Sequence, residues 1–177
     1  MRLYFLRHGE SVTNFEERIT GHLDAELTDK GRAQAVKAGE GLKDLTIDTI
    51  VSSPLIRTKE TAQLVAEQIG YPNEAIIIEP LAIERYLGTF EGMLKSEAFP
   101  LTDEKVEAAG GEDEEAMYKR ANELLDHLRE TGSDNILLVC HNGFGKRLRA
   151  VIDHTEDQSA WELPDFPNAG VYDLGEI

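Results

Sequence analysis

The chain has 177 residues, 41% of them hydrophobic, and a formal net charge of −16 from 34 acidic against 18 basic residues. That length suits one domain, residues 1–177, with a full core, and the composition argues against disorder or low complexity. The charge opposes nonspecific binding to nucleic acid or an anionic membrane, and a single cysteine, Cys140, excludes an internal disulfide.

In chain order, the first element is the apolar run "RLYFL" at 2–6, read as a strand. It is too short for the apolar region of a signal peptide and Arg7 interrupts it; no apolar stretch reaches membrane-spanning length, so a cytoplasmic protein is expected. Thr28 caps a helix predicted to reach about Lys43, with Ala33, Val36 and Gly39 or Leu42 on its inner stripe. "DTIVS" at 48–52 is the second strand, and Ser53 with Pro54 reads as the cap and first turn of a helix lined by Ala62, Val65 and Ile69 and stopped by Gly70.

"AIIIE" at 75–79 is the third strand. The irregular segment from Pro80 to Gly111 reads as a mobile loop or lid. The clearest amphipathic helix follows, with Met117, Ala121, Leu124, Leu125 and Leu128 on one stripe and acids in its first turn. "NILLVC" at 135–140 is a fourth strand, and the proline-containing tail is expected to return as an edge strand over 170–174. The apolar runs are continuous rather than alternating, as strands covered on both faces require, so the pattern predicts an α/β three-layer sandwich with a mostly parallel central sheet.

In such a sheet, ligands bind beyond the carboxyl ends of the strands. Arg7 and His8 follow the first strand, Arg57 lies just after the second, Glu84 after the third and His141 after the fourth. Two histidines, two arginines and a carboxylate converging on one edge suit phosphoryl transfer, where positioning and fixed donors supply most of the catalysis. Arg7 and Arg57 offer planar forks that match phosphate oxygens. A neutral His8 can attack phosphorus, its other ring nitrogen held by a backbone carbonyl, and Glu84, held protonated near phosphate, can give a proton to the leaving alcohol and then activate water.

Three other readings compete. Cys140 could be a phosphatase nucleophile, but after five intervening residues the cation is Lys146 rather than arginine. A metal hydrolase would need a tight ligand pair, and His22, His127 and His154 are scattered, so no metal is expected. A binding module without turnover would not need both a nucleophile and a proton donor.

These residues carry a resemblance. "LRHGESVTN" is similar to the signature of the histidine phosphatase superfamily, which includes the cofactor-dependent phosphoglycerate mutases, and "GHLDAELTDKGRAQA" (21–35), "SSPLIRTKETA" (52–62), "ERYLGTFEG" (84–92) and "VCHNG" (139–143) match its later blocks in order. The resemblance implies a phosphoglycerate mutase-like fold, transient phosphorylation of His8, and phosphoryl oxygens held by Arg7, Arg57 and His141. It makes Glu84 the proton donor, Asn14 a further phosphate contact and Thr20 and Gly21 the border of the substrate. Asn142 stands where the family commonly has glycine and is placed among the substrate-binding residues, with helix capping as its alternative.

Mutases of this family carry an insertion with adjacent arginines, whereas this chain has no arginine between Arg85 and Arg120. Hydrolysis of a small phosphomonoester without a cofactor is therefore expected ahead of mutase-type transfer. Substrate identity and oligomeric state are not legible in the sequence.

Overall fold

The run Asn135–Cys140 decides the architecture, because its side chains are buried on both sides. Ile136, Leu138 and Cys140 enter one core and Leu137 and Val139 the other, the two-residue alternation of a strand with no solvated face. A computed structural model of the chain describes residues 1–156 and 160–177. Its principal elements are β1 (Arg2–Arg7), α1 (Val12–Phe15), α2 (Asp29–Gly41), β2 (Thr49–Ser52), α3 (Ile56–Ile69), β3 (Ile77–Ile78), α4 (Lys95–Ala98), α5 (Asp103–Ala108), α6 (Glu114–Glu130), β4 (Asn135–Cys140), α7 (Asn142–Asp153) and β5 (Val171–Glu176).

The five strands form one sheet in the order β3-β2-β4-β1-β5. All pairings are parallel except that of β1 with β5. On one face, α6 and α7 bury Met117, Leu124, Leu128, Phe144 and Leu148 against Leu3 and Phe5. On the other, α2 and α3 bury Leu42, Ala62, Val65 and Ala66 against Leu6 and Ile50. The expected α/β sandwich with a mostly parallel sheet is the observed one. Among the described residues, no helix is long and apolar enough to cross a membrane.

Several local expectations are corrected. The buried stripe of α2 is Gly31, Ala35 and Gly39, continued by Leu42, so Ala33 and Val36 are off it. Gly31 is there because the helix crosses the backbone of Gly9 and Glu10 so closely that a Cβ on Gly31 would collide with the Glu10 carbonyl. Ser53 does not cap α3: the helix starts at Ile56 with Leu55 at its N-cap, and the Ile56 N–H donates to Asp24 Oδ1 at 2.6 Å. β3 is two residues long, and Ile77 and Ile78 are exposed at the sheet edge rather than covered.

The segment 86–111 is built rather than irregular. It contains α4 and α5, and Ala98, Leu101 and Val106 form a separate small core with Ile19, supported by Leu87, Phe90 and Trp161. The tail returns as the expected edge strand, displaced by one residue at its start.

Candidate active site

Register places the site. Arg7 pairs with Cys140 and Ser52 with Val139, so the chain leaves β1, β4 and β2 at one level, and the His8 N–H donates to the Cys140 carbonyl at 3.0 Å. The imidazoles of His8 and His141 consequently meet edge to face with centroids 5.3 Å apart. Both are buried.

His8 is held in one tautomer. Its Nδ1 lies 2.7 Å from the Gly9 carbonyl, which can only accept, so the proton sits on Nδ1 and Nε2 carries a lone pair. That lone pair receives a long hydrogen bond of 3.3 Å from Arg57 Nε. Burial, then Arg57, then Arg7 hold the His8 pKa well below the ordinary histidine range, so the ring is neutral at pH 7. His141 is depressed in the same direction, by burial and then Arg57, His8 and Arg7.

Arg57 is aimed by carbonyls. Its Nη2 and Nη1 donate to Gly21 and Leu23 at 2.8 Å each, and burial lowers its pKa to about 10. Gly21 has φ of +51° and a Cβ there would strike the Glu91 carboxylate, so the turn that presents these carbonyls requires glycine. Arg7 donates through Nη1 to the Phe166 carbonyl. Among the described residues, Arg7 Nε and His141 Nδ1 are buried with no hydrogen-bond partner. Beside a neutral imidazole, such atoms suit an incoming oxyanion.

Glu84 closes the site from the loop that follows β3. Its carboxylate accepts from the backbone N–H groups of Arg85 (2.9 Å), Gly143 (3.0 Å) and Phe144 (2.7 Å), the last two in the first turn of α7. Both oxygens are thus acceptors of backbone donors, and the proton expected from the sequence would need a lone pair that these contacts leave over.

Arg7, His8, Asn14, Thr20, Gly21, Arg57, Glu84 and Asn142 all line one cavity of about 270 Å³. His141 lies behind it, in contact with His8. Asn14 accepts from Asn168 Nδ2 at 3.1 Å, and Thr20 Oγ1 meets Thr13 Oγ1 at 2.7 Å. Asn142 accepts from the Phe166 N–H (2.9 Å) and donates to Asp165 (2.8 Å), so it tethers the tail from the cavity wall.

Other residues were not legible as parts of the site. Ser53 Oγ lies 2.7 Å from His141 Nε2, fixing that ring instead of capping a helix. Asn168 Nδ2 also donates to the His8 carbonyl at 3.1 Å, from a tail readable only as a turn. His22, which had read as a scattered loop residue, donates from Nε2 to the Glu84 carbonyl at 2.7 Å, while the carbonyls on either side of it hold Arg57. The turn around His22 thus links the Arg57 guanidinium to the main chain of Glu84. Its position next to Gly21 was the available signal.

Cys140 is buried, its Sγ donates to the Ala82 carbonyl at 3.1 Å, and burial pushes its thiol pKa up, away from a thiolate nucleophile. Among the described residues no three His, Cys, Asp or Glu side chains are grouped as a metal site.

Comparison with known proteins agrees with this geometry. A family model described as "Histidine phosphatase superfamily (branch 1)" matches residues 3–175. A 2,3-bisphosphoglycerate-dependent phosphoglycerate mutase of Bartonella bacilliformis is 30% identical over 91% of this chain and 84% of its own length. Phosphoglycerate mutase-like protein 4 of Arabidopsis thaliana is 34% identical over 78% of this chain, which spans 65% of that relative. Among solved structures, a mycobacterial glucosyl-3-phosphoglycerate phosphatase complexed with VO3 superimposes with a TM-score of 0.81 at 28% identity, covering 96% of this chain and 90% of the other. A putative alpha-ribazole-5'-P phosphatase of Escherichia coli gives 0.82 at 26% identity, covering 97% and 88%. With the match running from β1 to β5 and the five sequence blocks meeting at one cavity, the chain belongs to the histidine phosphatase superfamily, branch 1.

Proposed function

We propose that the protein is a phosphatase that hydrolyses a small phosphomonoester through a phosphohistidine at His8. The observation that carries this is the His8 ring itself: neutral, with Nδ1 anchored to a carbonyl and Nε2 unprotonated, held only by a long hydrogen bond from a buried guanidinium. In the first step Nε2 attacks phosphorus as the P–O bond to the alcohol breaks, and Glu84 gives that oxygen a proton. In the second, water attacks the phosphohistidine, Glu84 takes its proton, and His8 and phosphate are regenerated. Arg7, Arg57 and His141 hold the phosphoryl oxygens in both steps, with Asn14 beside them.

Metal is not part of this chemistry, and the acidic net charge disfavours a nucleic acid or an anionic membrane as partner; we read the enzyme as cytoplasmic. The test is phosphate release from a small aryl phosphate with excess EDTA present. Turnover that His8→Ala abolishes supports the reading, and turnover that survives in His8→Ala or vanishes with EDTA overturns it.

The mutase names among the relatives favour a second reading, transfer within a bisphosphate. It needs grip on a second phosphate, and the stretch between Arg85 and Arg120 supplies no arginine for it. Conversion of 3- to 2-phosphoglycerate faster than phosphate release would select the mutase.

A further inference from the structure

Beyond Glu84 the cavity is lined by five more cations, Arg18, Arg85, Lys95, Lys146 and Arg147. In an acidic chain these look like a second anion site, but their partners say otherwise. Arg85 lies 2.6 Å from Asp103 and 3.5 Å from Glu114. Arg147 lies 3.0 Å from Glu114 and 3.6 Å from Asp103. Two buried guanidinium groups and two carboxylates make a neutral quartet, capped by Trp161, whose ring centroid is 5.5 and 5.1 Å from the two guanidinium carbons and whose N–H donates to Asp103. Lys146 is matched by Asp165 at 2.6 Å.

A second anion entering here would meet balanced charge, and to gain a cation it would have to break into the largely buried quartet or displace the exposed Asp165 carboxylate from Lys146. On the rim, Arg18 is shared between Glu16 and the Gly92 carbonyl. Lys95 is exposed, so its attraction is screened by water and salt.

What the inner wall does offer is apolar surface and one donor. Ile19, Leu87, Phe99, Leu101 and Trp161 line it, Leu101 from the small core and Phe99 half exposed. Arg85 Nη2 is buried and, among the described residues, has no hydrogen-bond partner. In a charge-balanced setting that N–H suits a neutral acceptor such as a hydroxyl or carbonyl oxygen.

We propose that the substrate is the phosphate monoester of an uncharged, partly apolar alcohol bearing one further acceptor oxygen, and that a second carboxylate or phosphate is discriminated against by the Arg85–Asp103–Arg147–Glu114 quartet and the Lys146–Asp165 pair. This rests on the phosphomonoesterase reading above. It separates the chain from mutases by chemistry: the cations near the leaving group are present but already answered.

The test compares kcat/KM for 4-acetylphenyl phosphate and 4-carboxyphenyl phosphate, esters of similar shape that differ in charge. The neutral ester is expected to be favoured by about tenfold or more. Asp165→Asn, at a side chain that is 71% exposed and so tolerant of change, leaves Lys146 without its carboxylate and should narrow the preference at least about threefold. Lys95→Gln should leave the ratio unchanged. Equal use or preference for the carboxylate ester, an unchanged ratio in Asp165→Asn, or a ratio moved by Lys95→Gln overturns the inference while leaving the catalytic reading intact. Failure to turn over either ester, or turnover that persists in His8→Ala, overturns the catalytic reading and the inference with it.

Discussion

Replacing Arg57 with methionine separates the electrostatic role of this residue from its structural one. The guanidinium is 1% exposed and burial brings its pKa from 12.5 to about 10. That depression corresponds to roughly 3 kcal/mol against the charged form in the free protein. Methionine removes the cost and keeps a flexible apolar stem. It also strands the carbonyls of Gly21 and Leu23, which accept from Arg57 at 2.8 Å each. An unsatisfied buried acceptor costs about 1–3 kcal/mol.

The two effects oppose each other, so ligand-free Arg57→Met should unfold within about 2 kcal/mol of the parent. Turnover should not be spared. Losing a forked donor beside the transferring phosphorus is expected to lower kcat at least about a hundredfold. Urea melts with and without orthovanadate, beside phosphate release, measure both quantities: the parent should gain stability from the oxyanion and the variant should lose most of that gain. A variant destabilised by more than about 4 kcal/mol, or one that keeps a fifth of the parental kcat, would refute the reasoning.

Further predictions concern other parts of the site. His8 and His141 are held well below the ordinary range by burial and then by neighbouring cations. As pH falls through about 6.5, the unfolded chain takes up protons on both rings and the folded chain does not, so stability is lost on acidification at up to about 1.4 kcal/mol per pH unit for each ring. Urea melts from pH 7.5 to 5.5 should show this loss and His141→Asn should reduce its slope, whereas stability that rises towards pH 5.5 would contradict the assignment. His22→Phe keeps a ring against Tyr86 but cannot donate to the Glu84 carbonyl. It should slow alkyl phosphates, which need a proton on the leaving oxygen, about tenfold more than a nitrophenyl phosphate, with partial rescue by His22→Gln; equal losses on both would reduce His22 to a packing residue. Cys140→Ser should keep kcat within about threefold and cost about 1–2 kcal/mol of stability, and abolished turnover in a folded protein would return the thiol to the mechanism.

The sheet was legible because β4 and β1 are continuous apolar runs, and the stripe of α6 because five apolar residues recur at helical spacing. The candidate site residues were legible for a related reason: Arg7, His8 and His141 stand at or directly behind strand ends, Arg57 and Glu84 five and six residues further on, and parallel pairing brings such positions to one edge. What escaped was set by contacts that no local pattern carries. The α2 stripe shifted because a close backbone crossing demands Gly31 rather than a larger apolar residue. Ser53 lost its cap to Asp24, a side chain 32 residues before the Ile56 N–H that it accepts from, and gained His141. In the same way, segment 86–111 looked unstructured because Ala98, Leu101 and Val106 find their partners Ile19 and Trp161 in distant loops. Likewise, the pairing of Arg85 and Arg147 with Asp103 and Glu114 joins four separate segments, so their charges could be counted in the sequence but not cancelled.

The most direct measurement is mass spectrometry of the enzyme quenched in alkali during turnover, where phosphohistidine survives and phosphoserine or acyl phosphate linkages do not. We expect a phosphoryl group confined to the peptide that contains His8, formed faster than the steady-state rate and missing from His8→Asn. A phosphoryl group on any other residue, or full turnover with none on the protein, would contradict the covalent role given to His8.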